Sequence, residues 1–359
     1  MGFQRVRLFQ FRNLRDGEID LASPQVFLVG TNGQGKSNLL EALYVLSYGG
    51  SFRTRRDQEL CRTGTREMAL DGSFHGPDGG YTLEIRYREN RKSIHLDGET
   101  VQDRRDLVSL IPSVVFRHDD MVFVNGPPEM QRWFTDQTLS MNDPLYIDAM
   151  RRYRKILRNR NQVIRDGQTE MLSVYDPQLA EQGLEIQRRR HTVLESFNEV
   201  FAREFQEIAR LPDDLVLEYR PSWRELDSVE TVQEHLRAHR SQEEALRTTT
   251  SGPHRDRILF RYAGQDFLTI ASTGQMRMVA LILRVAQARF FAERTGRKPV
   301  LLLDDVLLEL DGERRERFIN RLPPSDQRVF TFLPVEPYAG YRNDETMVYS
   351  VQDGTLQRE

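Results

Sequence analysis

Cysteine is nearly missing from this chain. The single Cys61 among 359 residues excludes an intrachain disulfide and any zinc site built from several thiolates, and it fits a reducing compartment. Long apolar runs are missing too: no stretch approaches the roughly 18 residues that a membrane-spanning helix requires. The opening MGFQRVRLFQFRN has no apolar core of signal-peptide length, and Val6 stands where an N-myristoylation signal carries Ser or Thr. A cytoplasmic protein with no membrane partner is therefore expected. There is no internal repeat, no low-complexity tract and no large excess of one charge. A net charge of −3, with 29% charged and 38% hydrophobic residues, is the composition of an ordinary globular protein. It excludes a wholly basic coat for nucleic acid, so any such binding needs a local basic surface.

What is present is enough chain for one substantial core plus a second unit, because single cores seldom grow beyond roughly 250–300 residues. The first third reads as strands. RVRLFQF alternates, QVFLVG is a short apolar run ending in glycine, and YTLEIRYRENRKSIHLDG has two alternating arms around REN, the pattern of a hairpin. From about Asp136 the texture turns helical. Leu145, Met150, Tyr153, Ile156, Leu157, Val163 and Ile164 fall near one helical face, and Leu194, Phe197, Phe201, Phe205 and Ile208 near another. Strand texture returns after about Thr248 in RILFRYAGQDFLTIA, PVLLLDDV and RVFTFLP. The expected organisation is an α/β head made of residues 1–120 and 248–359, interrupted by an α-helical insertion over 121–247.

FLVGTNGQGKSNLLEAL matches the phosphate-loop pattern G-x-x-x-x-G-K-S/T at Gly30, Gly35, Lys36 and Ser37, after a strand and before a helix. Its glycines let backbone N–H groups curl round the β- and γ-phosphates of a nucleotide, so Gly30, Thr31, Asn32, Gly33, Gln34 and Gly35, continuing to Asn38, form the candidate cradle. Lys36 brings a point charge to those phosphates, the Ser37 hydroxyl binds Mg²⁺, and the helix N-terminus adds its partial positive charge. KPVLLLDDV, Lys298 to Val306, is an apolar strand ending in two carboxylates. Buried in a parallel sheet, it places Asp304 beside the Mg²⁺ and Asp305 one step further on, where a carboxylate orients an attacking water. Without the phosphate loop, the same stretch reads equally well as a buried strand meeting an acidic turn.

These motifs, together with STGQ (Ser272 to Gln275), LLLDDVLLELD and FRNL (Phe11 to Leu14), resemble the ATP-binding-cassette heads of the SMC-type ATPases, and most closely the RecF family of bacterial recombinational-repair proteins. GGSFRT (Gly49 to Thr54), RNRN and SGPHRD (Ser251 to Asp256) support the narrower resemblance, which runs from the first ten residues to about residue 335. It implies an ABC-type P-loop ATPase head with an inserted helical arm, ATP and Mg²⁺ as cofactors, and a composite active site. STGQ resembles the signature motif, so Ser272, Gly274 and Gln275 would meet the γ-phosphate of ATP on the phosphate loop of a second subunit. ELD, Glu309 to Asp311, resembles the loop that crosses the same dimer interface, which brings Asp311 to the nucleotide. A Ser hydroxyl at a helix start is a second anion site, and one phosphate loop cannot use both. Read in isolation, STGQ is an ordinary helix N-cap. The catalytic groups expected are Lys36, Asp305 and Ser272, with Ser37 and Asp304 as metal ligands.

The chain also departs from the pattern. ABC-type heads usually carry Glu where Asp305 stands, and the shorter carboxylate implies slow turnover. RecF-like chains usually have a small residue where Leu308 stands. Thr331 occupies the place of the switch His of many ABC heads, and VFRHDD offers no Gln where a Q-loop is expected. For DNA, Arg151, Arg154, Arg158 and Arg165 share one helical stripe in RRYRKILRNRNQVIR, and Arg53, Arg55 and Arg56 follow the phosphate-loop helix. Such groups neutralise duplex phosphates without reading sequence, although a solvated helix face explains the stripe as well, and Arg53 is also placed to face nucleotide phosphate. His254 in SGPHRD is either part of a family motif or a structural turn residue. The function implied is an ATP-dependent DNA-binding protein of recombinational repair and replication-gap processing. ATP would close a homodimer on double-stranded DNA and slow, DNA-stimulated hydrolysis would open it, with RecR as a partner and RecO as a further candidate. A small-molecule P-loop kinase with a helical lid is the competing reading, and a separate ATPase subunit of a transporter a third; both leave STGQ or the insertion without a role.

Overall fold

Strand sequences of two textures build the first of two units, which comprises residues 1–120 and 287–359. The computed structural model describes residues 2–76, 79–103, 105–308 and 310–359; Glu309 of the ELD stretch lies outside the described residues. QVFLV, Gln25–Val29, and VLLLD, Val300–Asp304, are apolar because both faces of their sheet are covered. That sheet has six strands in the order Thr355–Arg358, Thr346–Gln352, Gln25–Val29, Gln327–Phe332, Val300–Asp304 and Ser113–Arg117. Neighbours run parallel except the outermost pair, Thr346–Gln352 with Thr355–Arg358. Pairing of Thr331 with Leu28 and of Phe330 with Leu303 brings the carboxyl ends of three adjacent strands to one edge.

GFQRVRLF, Gly2–Phe9, instead alternates between buried and exposed positions, as a strand covered on one face does. It lies in a second six-stranded sheet, antiparallel throughout, ordered Gly17–Asp20, Gly2–Phe9, Glu67–Gly76, Gly79–Arg88, Arg91–Leu96 and Glu99–Thr100. The expected hairpin forms: Arg88 pairs with Arg91, and Glu89 and Asn90 turn through φ of 53° and 60°, the left-handed turn that matches strand twist. Helix Lys36–Tyr48 shares one apolar core with both sheets. Its Leu39, Leu43 and Leu46 meet a cluster that takes Val26, Leu302 and Val329 from the parallel sheet and Val6, Leu70 and Ile85 from the antiparallel one. Each such side chain, fully buried, contributes roughly 1.5–3 kcal/mol, and together they fix the helix behind the phosphate loop.

The second unit, residues 121–286, is built on helices Pro128–Asn142, Pro144–Arg165 and Leu172–Ala209. Leu194, Phe197, Phe201, Phe205 and Ile208 are all buried, as their spacing requires. In the Pro144–Arg165 helix Met150, Tyr153, Val163 and Ile164 are buried, but Leu145 is 63% exposed. Tyr146 takes the inward place because its hydroxyl donates to Asp136 at 2.5 Å. No described helix is long and apolar enough to cross a membrane.

Strand Arg257–Tyr262, expected in the head, pairs antiparallel with Leu215–Arg220, and the unit that holds them runs to Ala286 rather than ending at residue 247. The reason lies at Asp256, which is wholly buried. Its carboxylate accepts from Arg190 Nη1 at 2.8 Å, Gln187 Nε2 at 2.7 Å, the Tyr219 hydroxyl at 2.5 Å and Ser222 N at 2.8 Å. Arg190 also grips Asp136, and although burial works most strongly against its charge, Asp136, Tyr146, Asp256 and Tyr219 together outweigh it and hold the guanidinium well above its ordinary value. Breaking such a pair would strand a buried charge at a cost of roughly 3–5 kcal/mol, so the SGPHRD segment stays with the helices that neutralise it.

His254 belongs to the same interior. Its Nδ1 lies 2.7 Å from the Tyr153 hydroxyl and its Nε2 3.2 Å from Thr249 O, an arrangement that suits the neutral ring, with Tyr153 donating and Nε2 donating onward. Burial pushes its pKa down to about 4, against the Thr249 carbonyl and with help from Arg255, Arg132 and Arg160. The folded state therefore resists a proton that the unfolded chain accepts near 6.5. This stability is complete above pH 6.5 and is lost as pH falls towards 4, up to about 3 kcal/mol. Urea titrations at pH 7.5 and 5.0 should show His254→Gln losing less stability on acidification than the unsubstituted chain; equal losses would contradict the assignment.

Candidate nucleotide site

The phosphate loop leaves the parallel sheet at the carboxyl end of Gln25–Val29 and enters helix Lys36–Tyr48 at Gly35. Only glycine suits two of its positions. Gly35 has φ 113°, and a Cβ on Gly30 would lie 2.4 Å from Val351 O on the neighbouring strand. The helix has no side-chain cap and no acid in its first turn, so its terminal N–H groups and positive end are left for an anion. Lys36, 3% exposed, donates to Gly30 O at 2.7 Å and Thr31 O at 3.2 Å, and its Nζ lies 3.9 Å from Asp305 Oδ1. The cleft, about 170 Å³, is lined by residues 31–38 with Arg53 and Asp305.

Strand Val300–Asp304 ends at this edge. Ser37 Oγ donates to Asp304 Oδ1 at 2.7 Å, which joins the two expected metal ligands across the sheet. Burial pushes the Asp304 carboxyl above its ordinary range, Ser37 opposes this, Asp305 adds to it, and Arg53 and Arg117 oppose it. A hydroxyl and a buried carboxylate side by side are hard oxygen donors that suit Mg²⁺, which takes few protein ligands and completes its shell with water and phosphate. Among the described residues no cluster of three or more His, Cys, Asp or Glu forms a self-sufficient metal cage. Thr331, on the strand between, donates to Asp305 Oδ1 at 2.7 Å and accepts from Asp305 N at 2.8 Å.

Several supports of the loop carried only weak sequence signals. Asn13 of FRNL donates to Gly33 O at 2.9 Å and accepts from Asn38 Nδ2 at 2.6 Å. Arg12 holds the buried Glu41 with two bonds, 2.9 and 2.8 Å. The turn of the outer hairpin backs the loop, with Asp353 N donating to Gln34 Oε1 at 2.6 Å and Gly354 N to Gln34 O at 3.0 Å. Its Asp-Gly pair was the available clue.

Other expected residues lie as follows. Arg53, for which a DNA contact and a place facing nucleotide phosphate are both expected, lies at the cleft: Nη1 donates to Asn38 Oδ1 at 2.6 Å and lies 3.4 Å from Glu41 Oε2, because the buried Glu41 carboxylate needs cations. Arg55 is exposed. Arg151, Arg154 and Arg158 are exposed along their helix in the second unit, whereas Arg160 turns inward to Asp176 at 2.8 Å and Glu243 at 2.7 Å. Ser272, Gly274 and Gln275 also belong to the second unit, at the start of helix Thr273–Thr295. Ser272 N donates to Gln275 Oε1 at 2.8 Å, and Ser272 Oγ accepts from Gln275 N at 3.3 Å, a reciprocal cap. Ser272 and Gly274 are exposed. Asp311 caps helix Gly312–Arg321 by accepting from Arg314 N at 2.9 Å.

Residues 3–335 match the model of the RecF/RecN/SMC N-terminal domain. The DNA replication and repair protein RecF of Treponema pallidum (strain Nichols) is 41% identical over 346 residues, 96% of this chain and 97% of that protein. The solved structure of the recombination mediator protein RecF-ATP in the RecFOR pathway superposes with a TM-score of 0.91 at 27% identity, covering 99% of this chain and 97% of that one. An Smc head bound to the C-terminal winged-helix domain of ScpA shares the fold, with a TM-score of 0.58 at 16% identity over 99% and 97% of the two chains.

Gly30→Ala tests the close approach behind the loop. Overpacking against a carbonyl costs about 1–3 kcal/mol, so triphosphate binding measured by calorimetry should weaken about tenfold or more. Unchanged affinity would mean that the loop does not depend on its contact with Val351.

Proposed function

This chain belongs to the RecF family of DNA replication and repair proteins, and on that premise we propose that it is an ATP-gated clamp for double-stranded DNA. The observation that carries the reading is the meeting of Ser37 with Asp304 at 2.7 Å beside Lys36 and Asp305, the groups that a Mg²⁺-triphosphate requires. Lys36 leaves its carbonyl partners for the β- and γ-phosphates, Ser37 and Asp304 hold Mg²⁺, and Asp305 orients the attacking water. Mg²⁺ supplies charge neutralisation for the phosphates. Arg53, already at the cleft, belongs to the nucleotide side of the site.

Ser272, Gly274 and Gln275 close the site of a second copy of the chain. The exposure of Ser272 and Gly274 supports this, since a signature loop that serves another subunit has to stand open to it. ATP then acts chiefly as a binding switch: it joins two heads, and hydrolysis, slow because Asp305 is one methylene shorter than glutamate and quickened by DNA, parts them. Arg151, Arg154 and Arg158 supply a sequence-independent, salt-sensitive grip on duplex phosphates, with Arg55 as a further contact. The pathway named for the RecF-ATP relative supports RecR as a partner, with RecO as a further candidate, in recombinational repair and replication-gap processing in the cytoplasm.

Light scattering tests the switch. The unsubstituted chain should dimerise with ATP, while Lys36→Met and Ser272→Arg, each folded by circular dichroism, should stay monomeric. Normal dimerisation and DNA binding by Ser272→Arg would remove Ser272 from the site.

A further inference from the structure

Asp305 stands in the left-handed region, with φ 52°, which costs a non-glycine residue about 1 kcal/mol or more. One neighbour holds it there. Thr331, 3% exposed in the middle of the parallel sheet, accepts from the Asp305 N–H at 2.8 Å and donates its single hydrogen to Asp305 Oδ1 at 2.7 Å. A hydroxyl can serve as acceptor and donor at once, so one side chain fixes both the main chain and the carboxylate of Asp305. The same Oγ1 lies 3.4 Å from Asp304 Oδ1, which accepts from Ser37 at 2.7 Å.

The surroundings make this hydroxyl conspicuous. Thr331 is flanked by Phe330 and Phe332 in a strand that is otherwise apolar over this stretch, and a buried hydroxyl needs a partner to be tolerated. Valine would pack equally well in the sheet. Among the described residues the Asp305 carboxylate has one cation at ion-pair distance, Lys36 Nζ at 3.9 Å, and Lys36 is the group that turns to the triphosphate. Thr331 is then the contact left to hold the carboxylate. The chain beyond is braced too, since the Glu336 carboxylate accepts from Leu333 N at 2.6 Å and anchors the segment leaving the strand.

We infer that Thr331 is a positioning residue for ATP hydrolysis, which locks Asp305 in the orientation that presents its carboxylate to the attacking water. Thr331 makes no step of the reaction and acts through Asp305. The inference rests on the reading of Asp305 as the group that orients the water.

The test uses the full chain with ATP, Mg²⁺ and duplex DNA, measuring ATP affinity and single-turnover hydrolysis separately. Thr331→Val keeps the shape and removes the hydroxyl. Hydrolysis should slow about 10- to 100-fold, the effect of a reacting group held out of place, while ATP affinity stays within about twofold. Thr331→Ser should restore the rate, and Thr331→Val added to Asp305→Ala should slow hydrolysis no further. Three results would overturn the inference: an unchanged rate in Thr331→Val, a parallel loss of rate and ATP affinity that Ser does not rescue, or additive losses in the double variant. If Asp305→Ala hydrolyses at the unsubstituted rate, the reading of Asp305 itself falls and the inference with it; a slow Asp305→Ala beside a normal Thr331→Val overturns the inference alone.

Discussion

The Ser37–Asp304 contact is the constraint around which the first unit is arranged. Asp304 is 6% exposed at the end of a strand covered on both faces, where a carboxylate loses most of its hydration. Burial holds its proton affinity up, and a hydroxyl 2.7 Å away compensates only in part. Arg53 and Arg117 oppose the rest of that rise. The contact can form only if Gln25–Val29 and Val300–Asp304 run parallel with a common carboxyl edge, since Ser37 lies one residue into the helix that follows the first and Asp304 ends the second. The intervening strand sets the spacing between them and contributes Thr331 at the same level.

Loop and helix are made stiff by polar contacts as well as by apolar packing. Asn13, Gln34 and the hairpin turn at Asp353 and Gly354 hold the loop from outside, while Leu39, Leu43 and Leu46 anchor the helix from beneath. A phosphate site held in this way loses little conformational entropy on binding. In the second unit the two readings of STGQ, helix cap and anion contact, prove compatible. Ser272 uses its oxygen as the acceptor from Gln275 N, which leaves the hydroxyl hydrogen free to be donated to a phosphate oxygen without breaking the cap.

Much of this was legible in the sequence. The unbroken apolar runs of QVFLV and VLLLD announced strands buried on both faces, and the phosphate-loop spacing announced the turn and helix that follow the first of them. The hairpin around Glu89 and Asn90 was legible from its two alternating arms. What escaped depended on pairing between distant segments. RILFRY alternates like any half-covered strand, and nothing local says that its partner is Leu215–Arg220 or that Asp256 beside it is held by Arg190. Arg53 was ambiguous for the same kind of reason, since a basic loop reads as a DNA contact until the buried Glu41 that attracts it is seen. The contacts of Asn13 and the two hydrogen bonds between Thr331 and Asp305 likewise join residues far apart in the chain, which periodicity cannot register.

The central claim is that the active site is completed by a second copy of the chain, and mixing two inactive variants tests it most directly. A dimer of one Lys36→Met chain and one Ser272→Arg chain contains one site with both lesions and one site with neither, because the intact phosphate loop of the second chain faces the intact signature of the first. Each variant alone should hydrolyse ATP at background rate in the presence of duplex DNA, and an equimolar mixture should recover a substantial fraction of the unsubstituted rate. A mixture that stays at background, with both variants folded, would contradict a site shared between two chains.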